Sequence, residues 1–318
     1  MRELSVYPLW MLGAGFFFLG LIFGSFLNVC IYRLPRGLSV VSPRSACPGC
    51  HAPIAAYDNI PVFSWMILGG RCRHCRQSIT PRYAIVELIC GLLFLLSFLQ
   101  AGPSLLAVKG CILSFLLLGL TFTDAETHLL PDAMTLPGLA IAVLLSLFEL
   151  VPGPAFLLFP IHFQGTVTTL LLDTQLGLRS LLNALIGAAV GSGTLYCIAW
   201  IYRKLRHVDG MGLGDVKLMA MVGAFLGPAL TLFVLCTASM LGGIFGICIL
   251  FTVFRKRFVR YRVSLGSRAA ARSWQAAQTT MRSLEIPCGV FLCLMSVVGW
   301  FYGVRMIRAY LNLLQFPG

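Results

Sequence analysis

Several apolar runs approach the ~20 residues that carry a helix across a bilayer, and they restrict this chain more than any other feature. The first reads "WMLGAGFFFLGLIFGSFLNVCIY", residues 10–32. Hydrocarbon offers no water to backbone N–H and C=O groups, so such runs fold as helices that satisfy those groups internally. Composition agrees. Of 318 residues, 58% are hydrophobic and 11% charged, with a mean hydropathy of +0.88; a soluble domain carries about a quarter charged residues. The expected fold is an all-α polytopic membrane protein with about eight transmembrane helices, over 10–32, 84–101, 104–123, 134–151, 180–202, 216–228, 230–254 and 286–307. The sixth is short because Gly227-Pro228 breaks it.

A secretory leader would show a basic start, a short apolar core and a small-residue cleavage site. Here Glu3 offsets Arg2, the apolar run is long, and Arg33 and Arg36 follow it, so the first span is read as retained. Charge then orients the spans. Residues 33–83 hold seven Arg against one acid, Asp58; residues 203–217 add Arg203, Lys204, Arg206 and Lys217; residues 255–282 hold eight Lys and Arg and no acid. Residues 152–178 contain no Lys or Arg. The excess of positive charge on cytoplasmic loops places the three basic loops inside and both termini outside, against which Arg305 and Arg308 weigh weakly. The formal net charge of +13 therefore reads as an insertion signal. Nucleic acid is not expected as a partner, since no basic stripe interleaves with aromatics. The 255–282 segment reads either as a basic amphipathic helix on anionic lipid or as a solvated loop that only fixes topology.

The first basic loop carries "CPGC" at 47–50 and "CRHC" at 72–75. Each Cys-x-x-Cys knuckle presents two thiolates, and Cys47, Cys50, Cys72 and Cys75 together complete a tetrahedral site suited to zinc. Disulfides are disfavoured in the reducing cytoplasm. A four-cysteine site has no open position for substrate, so its role is structural, a staple for a loop too small to build its own core. The competing reading is a redox-active or incidental pair. The other eight cysteines stand singly in apolar helices and are expected to behave as small buried hydrophobes.

Acids at span ends are costly and point to function. "TDAETHLLPD" (123–132) follows the third span, and Asp215 in "GMGLGDVKL" (210–218) opens the sixth. Asp124 and Asp215 fall at one membrane face. Two carboxylates meeting in a partly dehydrated site share a proton, so one activates water while the other protonates a carbonyl oxygen. That is the chemistry of an aspartyl protease. Helix capping by either acid and an ion-coupled transporter using the same acids remain open on spacing alone. Asp132 reads as a helix cap and Lys217 as an interfacial anchor. Glu87, one turn inside the second span, reads either as a polar group paired with Arg82 or another near-interface partner, or as a group for methyl transfer or substrate recognition.

These pieces, with "GSFLNVCIYRLP" (24–35), "NIPVFSWMILGGRCRHC" (59–75), "ITPRYAIVELICG" (79–91) and "IPCGVF" (286–291), run in one order through nearly all the membrane part. In that order the chain resembles the type IV prepilin leader peptidases/N-methyltransferases, polytopic bacterial aspartic proteases. The resemblance implies an inner-membrane enzyme that cuts the leader from type IV prepilins and type II secretion pseudopilins. It implies subsequent methylation of the new N-terminal residue from S-adenosylmethionine. Asp124 and Asp215 take the two catalytic positions, and the zinc loop marks the bifunctional members as distinct from peptidase-only relatives. The expected organisation is a first span over 1–32, a zinc-binding loop linked to methyl transfer over 33–83, and a protease core over 84–318 with the basic insertion 255–282. The stretch 151–179 looks long for the family, and no residues are assigned to S-adenosylmethionine.

Overall fold

The computed structural model describes residues 8–47, 49–148, 169–207, 212–265, 269–282 and 287–314. The helices are α1 (Leu9–Arg33), α2 (Phe63–Ile67), α3 (Arg82–Ala101), α4 (Leu105–Thr127), α5 (Asp132–Ser146), α6 (Thr169–Arg206), α7 (Leu213–Leu226), α8 (Pro228–Leu265), α9 (Ala269–Arg282) and α10 (Cys288–Leu314). Among the described residues the only extended pairings are two isolated bridges in the loop between α1 and α3. The molecule is an all-helical, multi-pass membrane protein.

Among the described residues six helices are long and apolar enough to cross a membrane, those built on α1, α3, α4, α6, α8 and α10. The remaining two expected spans correspond to α5, of 15 residues with Pro137 inside, and α7, of 14 residues. Protein encloses α7: Leu218, Met219, Met221, Val222, Gly223, Ala224, Phe225 and Leu226 are all buried. A helix apolar on every side belongs in a core rather than against lipid. Gly227, at φ 76, turns the chain there, and Pro228 starts α8. Much of the stretch 151–179 lies outside the described residues.

Close backbone contact fixes α7 in place. A Cβ on Gly223 would lie 2.1 Å from the carbonyl oxygen of Gly187 on α6, and one on Gly191 would lie 2.3 Å from that of Met219. Likewise α1 meets α3 where a Cβ on Gly24 would lie 2.7 Å from the Cα of Glu87. Lipid tails are as apolar as Leu, so membrane helices associate through such small-residue contacts.

The threading gathers polar groups at one end of the bundle. There Arg82 at the start of α3 pairs with Glu126 at the end of α4. Lys217 near the start of α7 reaches Asp132 at the start of α5, and Asn28 near the end of α1 donates to the Tyr83 carbonyl at 3.0 Å.

Candidate active site

Asp124 lies one turn before the end of α4, where His128 adopts a left-handed conformation and ends the helix, donating its N–H to the Asp124 carbonyl at 3.0 Å. The Asp124 side chain is buried. Its Oδ2 accepts the Val290 N–H at 2.9 Å, so the carboxylate rests on the first turn of α10, where unpaired amides and the helix dipole favour an anion. Only glycine at 289 permits this seat: a Cβ there would lie 2.8 Å from Oδ2 and 3.0 Å from Cγ.

Asp215 is the third residue of α7, with Gly212 rather than the aspartate as its N-cap. It is half-buried and within electrostatic reach of Asp124. Leu130 lies against both Gly214 and Gly289, since added Cβ atoms on them would come 3.2 and 3.3 Å from it. The site thus brings together Asp124 and Asp215 from distant stretches of chain. Gly210 and Met211 lie outside the described residues.

Other expectations resolve differently. Asp132 occupies the first turn of α5 and makes no cap; both its oxygens receive Lys217 Nζ, at 2.7 and 2.8 Å. Arg82 pairs with Glu126 rather than Glu87. Glu87 Oε2 instead accepts the Val62 N–H at 2.7 Å, holding a β-branched residue at φ 62, a conformation such residues rarely adopt. Among the single cysteines, Cys30, Cys90, Cys111 and Cys293 are buried, whereas Cys197, Cys236 and Cys248 are exposed. Those three lie on outward faces of α6 and α8, where an apolar solvent makes burial unnecessary. Cys288, also exposed, opens α10 within electrostatic reach of both Asp124 and Asp215.

The loop builds the second constellation. The Sγ atoms of Cys47, Cys50, Cys72 and Cys75 all lie within 4.8 Å of one another, with Cys47 to Cys75 at 3.7 Å and Cys50 to Cys72 at 4.0 Å. Tetrahedral zinc with Zn–S bonds of about 2.3 Å needs sulfurs about 3.8 Å apart, so the cluster fits a metal ion. Both knuckles fold alike. Cys47 N–H donates to the Ala52 carbonyl and Cys72 N–H to that of Gln77, and His51 and Arg76 take matching positive φ values of 55 and 59. Backbone N–H groups of Cys50 and Gly49 pull the Cys47 thiol down to about 6, and those of Cys75 and His74 lower Cys72, whereas burial and the neighbouring cysteine sulfurs push Cys75 up to about 11. Thiolates are the metal-binding form.

A family model described as Bacterial Peptidase A24 N-terminal domain matches residues 18–101, and one described as Type IV leader peptidase family matches residues 111–247. Relatives named prepilin leader peptidase/N-methyltransferase match over most of the chain. That of Klebsiella pneumoniae is 38% identical over 228 residues, covering 70% of this chain and 87% of the relative. The Aeromonas salmonicida (strain A449) protein is 32% identical over 292 residues, covering 84% and 90%. This chain belongs to the type IV leader peptidase family. A third relative, from Myxococcus xanthus (strain DK1622), is 38% identical over 239 residues, and the match covers 75% of this chain but 63% of that protein's length. No solved structure matches. Within the family assignment, Asp124 and Asp215 both fall inside the segment matched by the peptidase model, and the four cysteines fall inside the N-terminal one.

The sequence did not single out Gly289 and the Val290 amide. A proline followed by an apolar run does mark a helix start, and Pro287 precedes α10. What that start would face is not written in the segment itself.

Proposed function

We propose that this chain is a bifunctional enzyme of the bacterial inner membrane, with its active site toward the cytoplasm and both termini in the periplasm. It cuts the leader from type IV prepilins and from type II secretion pseudopilins, then methylates the new N-terminal residue from S-adenosylmethionine. The observation that carries this reading is the meeting of Asp124 and Asp215 at one end of the bundle, with Asp124 seated on the N-terminus of α10.

Asp124 and Asp215 share one proton and clamp a water between them. The ionised member takes a proton from that water as its oxygen attacks the scissile carbonyl, and the protonated member gives its proton to the carbonyl oxygen. Return of a proton to the amine nitrogen then breaks the C–N bond. The Val290 N–H fixes the Asp124 rotamer for both steps. A basic leader followed by an apolar helix suits a site at this depth, with the leader among headgroups and the helix in lipid.

Cys47, Cys50, Cys72 and Cys75 hold zinc in a closed site that orders the loop and supplies no chemistry to cleavage. Glu87 is read as positioning that loop through Val62. Its hydrogen bond at 2.7 Å supports this over direct contact with the new ammonium group.

An ion-coupled transporter would place its acids near mid-bilayer on broken helices; the position of these acids at helix ends supports the protease. The test is prepilin cleavage by purified D124N and D215N. Each variant is expected to fold, by an unchanged elution profile and Tm, and to lose cleavage by about 10²–10⁴-fold or more. Normal processing by either would overturn the assignment. Methyl incorporation from labelled S-adenosylmethionine into cleaved pilin tests the second activity, and cleavage without methylation would restrict the chain to peptidase work.

A further inference from the structure

Helix α8 is longer than a bilayer requires. Its 38 residues span about 57 Å at 1.5 Å per residue. Asp124 fixes a level along it, because Val290 hydrogen-bonds that carboxylate and the neighbouring Phe291 ring lies 5.4 Å from Phe245 of α8. Beyond Phe245 the helix continues to Leu265, a further ~30 Å. Helix α9 then packs back along it, with the Trp274 ring edge-on to Phe254 at 6.1 Å and Phe254 stacked on Phe258 at 5.8 Å. The chain re-enters the bundle at α10. A helical hairpin therefore stands at the end of the molecule that holds Asp124, and it lies beyond the segment matched by the peptidase family model, which stops at 247.

The hairpin's chemistry is one-sided. Residues 255–282 carry eight Lys and Arg and no acid. Arg255, Lys256, Arg260 and Arg272 are exposed, and so are Phe251, Val259 and Trp274. At helical spacing Phe251, Arg255 and Val259 fall on one face, with Lys256 and Arg260 beside them. A solvated basic loop would have no reason to expose apolar side chains between its cations. At a lipid headgroup layer that mixture is satisfied: aromatic and aliphatic groups enter the acyl boundary while long cationic side chains reach to the phosphates. The apolar stretch of α8 runs without a break into this face, so the surface begins at the bilayer itself.

We propose that the α8–α9 hairpin is a binding surface for anionic phospholipid, in which Arg255, Lys256, Arg260 and Arg272 hold headgroup phosphates and Phe251, Val259 and Trp274 insert beside them. The surface sets the end of the bundle carrying Asp124 against a negatively charged leaflet. None of its residues belongs to the catalytic or zinc-binding sets.

The experiment compares the full-length wild type, R255Q/K256Q/R260Q/R272Q and the charge-retaining R255K/R260K/R272K in micelles of equal phosphatidylglycerol and phosphatidylcholine, with retained lipid counted by native mass spectrometry. Wild type is expected to retain phosphatidylglycerol preferentially, and ionic strength raised from about 0.05 to about 0.5 M should weaken that preference. The glutamine variant should lose it by at least ~10-fold, with leader cleavage in phosphatidylcholine unchanged, and the lysine variant should keep most of it. Equal retention by wild type and the glutamine variant would overturn the proposal. Displacement of the lipid by millimolar inorganic phosphate would overturn it in favour of a plain anion site. Absence of lipid preference with binding of a soluble acidic peptide would overturn it in favour of a protein partner. Failure of leader cleavage in wild type would leave the lipid result standing, because the surface does not depend on the protease reading.

Discussion

A side chain at position 289 would occupy the space in which the Asp124 carboxylate now rests, 2.8 Å from Oδ2. G289A therefore has a specific consequence. The carboxylate must shift or lose the Val290 N–H, and misplacing a reacting group by about 1 Å costs on the order of 10²-fold in rate. Cleavage of prepilin by G289A is expected to fall at least ~10-fold in kcat with KM little changed and Tm within a few degrees; a fall confined to KM would mean that Gly289 serves substrate binding instead. The Lys217–Asp132 pair is different in kind. Both side chains are substantially exposed, 37% and 56%, and ion pairs of that sort contribute about 0–1 kcal/mol. K217M should change thermal stability by less than ~1 kcal/mol in a melting experiment. These two contrasts show what sequence makes visible. Asp124 and Asp215 stand out because acids beside apolar runs are rare and costly. Gly289 does not, because its importance lies in a backbone amide meeting a carboxylate from another helix, and no side-chain pattern in "IPCGVF" records that meeting.

Among the helices, hydropathy and length identify the long spans, but they do not report what surrounds them. Helix α7 ends short of a bilayer's thickness at Gly227-Pro228, and α5, α6, α8 and α10 pack around it; its all-round apolar sequence fits burial but does not name the helices that enclose it. Helix α8 shows the reverse. Charge after residue 254 reads as the end of a span, yet the helix runs to Leu265: Arg and Lys end a membrane crossing without ending a helix, being good helix formers, and no proline follows Pro228 in α8. The α6–α7 contact yields an internal comparison. A Cβ on Gly191 would lie 2.3 Å from the Met219 carbonyl oxygen, whereas one on Gly193, two residues along α6, meets nothing within 4 Å. G191A must push α7 away and is expected to lower Tm by several degrees, while G193A should be neutral or gain up to about 1 kcal/mol from the lower backbone entropy of alanine. Equal melting temperatures for the two variants would show that α6 and α7 do not approach as closely as described.

Two constructions share this molecule, and their connections predict how each responds to loss of the other. The dyad is assembled from α4, α7 and α10, none of which passes through the cysteine loop. The loop is tied to the bundle from its own side, by Glu87 of α3 holding Val62 and by the short connection from Cys75 into α3, while Trp65 donating to the Ile79 carbonyl at 3.1 Å is a contact within the loop. It has few buried apolar side chains, so its order is expected to depend on a metal at the four sulfurs. Wild-type protein is expected to contain about one zinc per chain by elemental analysis, and C47S/C72S to contain none. The zinc-free variant should be cut by a soluble protease between residues 37 and 81 while the bundle fragments stay intact. Under the proposed link between the loop and methylation, methyl transfer should be lost, and leader cleavage should persist. If the loop resists protease without zinc, the sulfurs do not staple it. If cleavage disappears together with methylation, the loop forms part of the protease site, and the division drawn between the two ends of the chain is wrong.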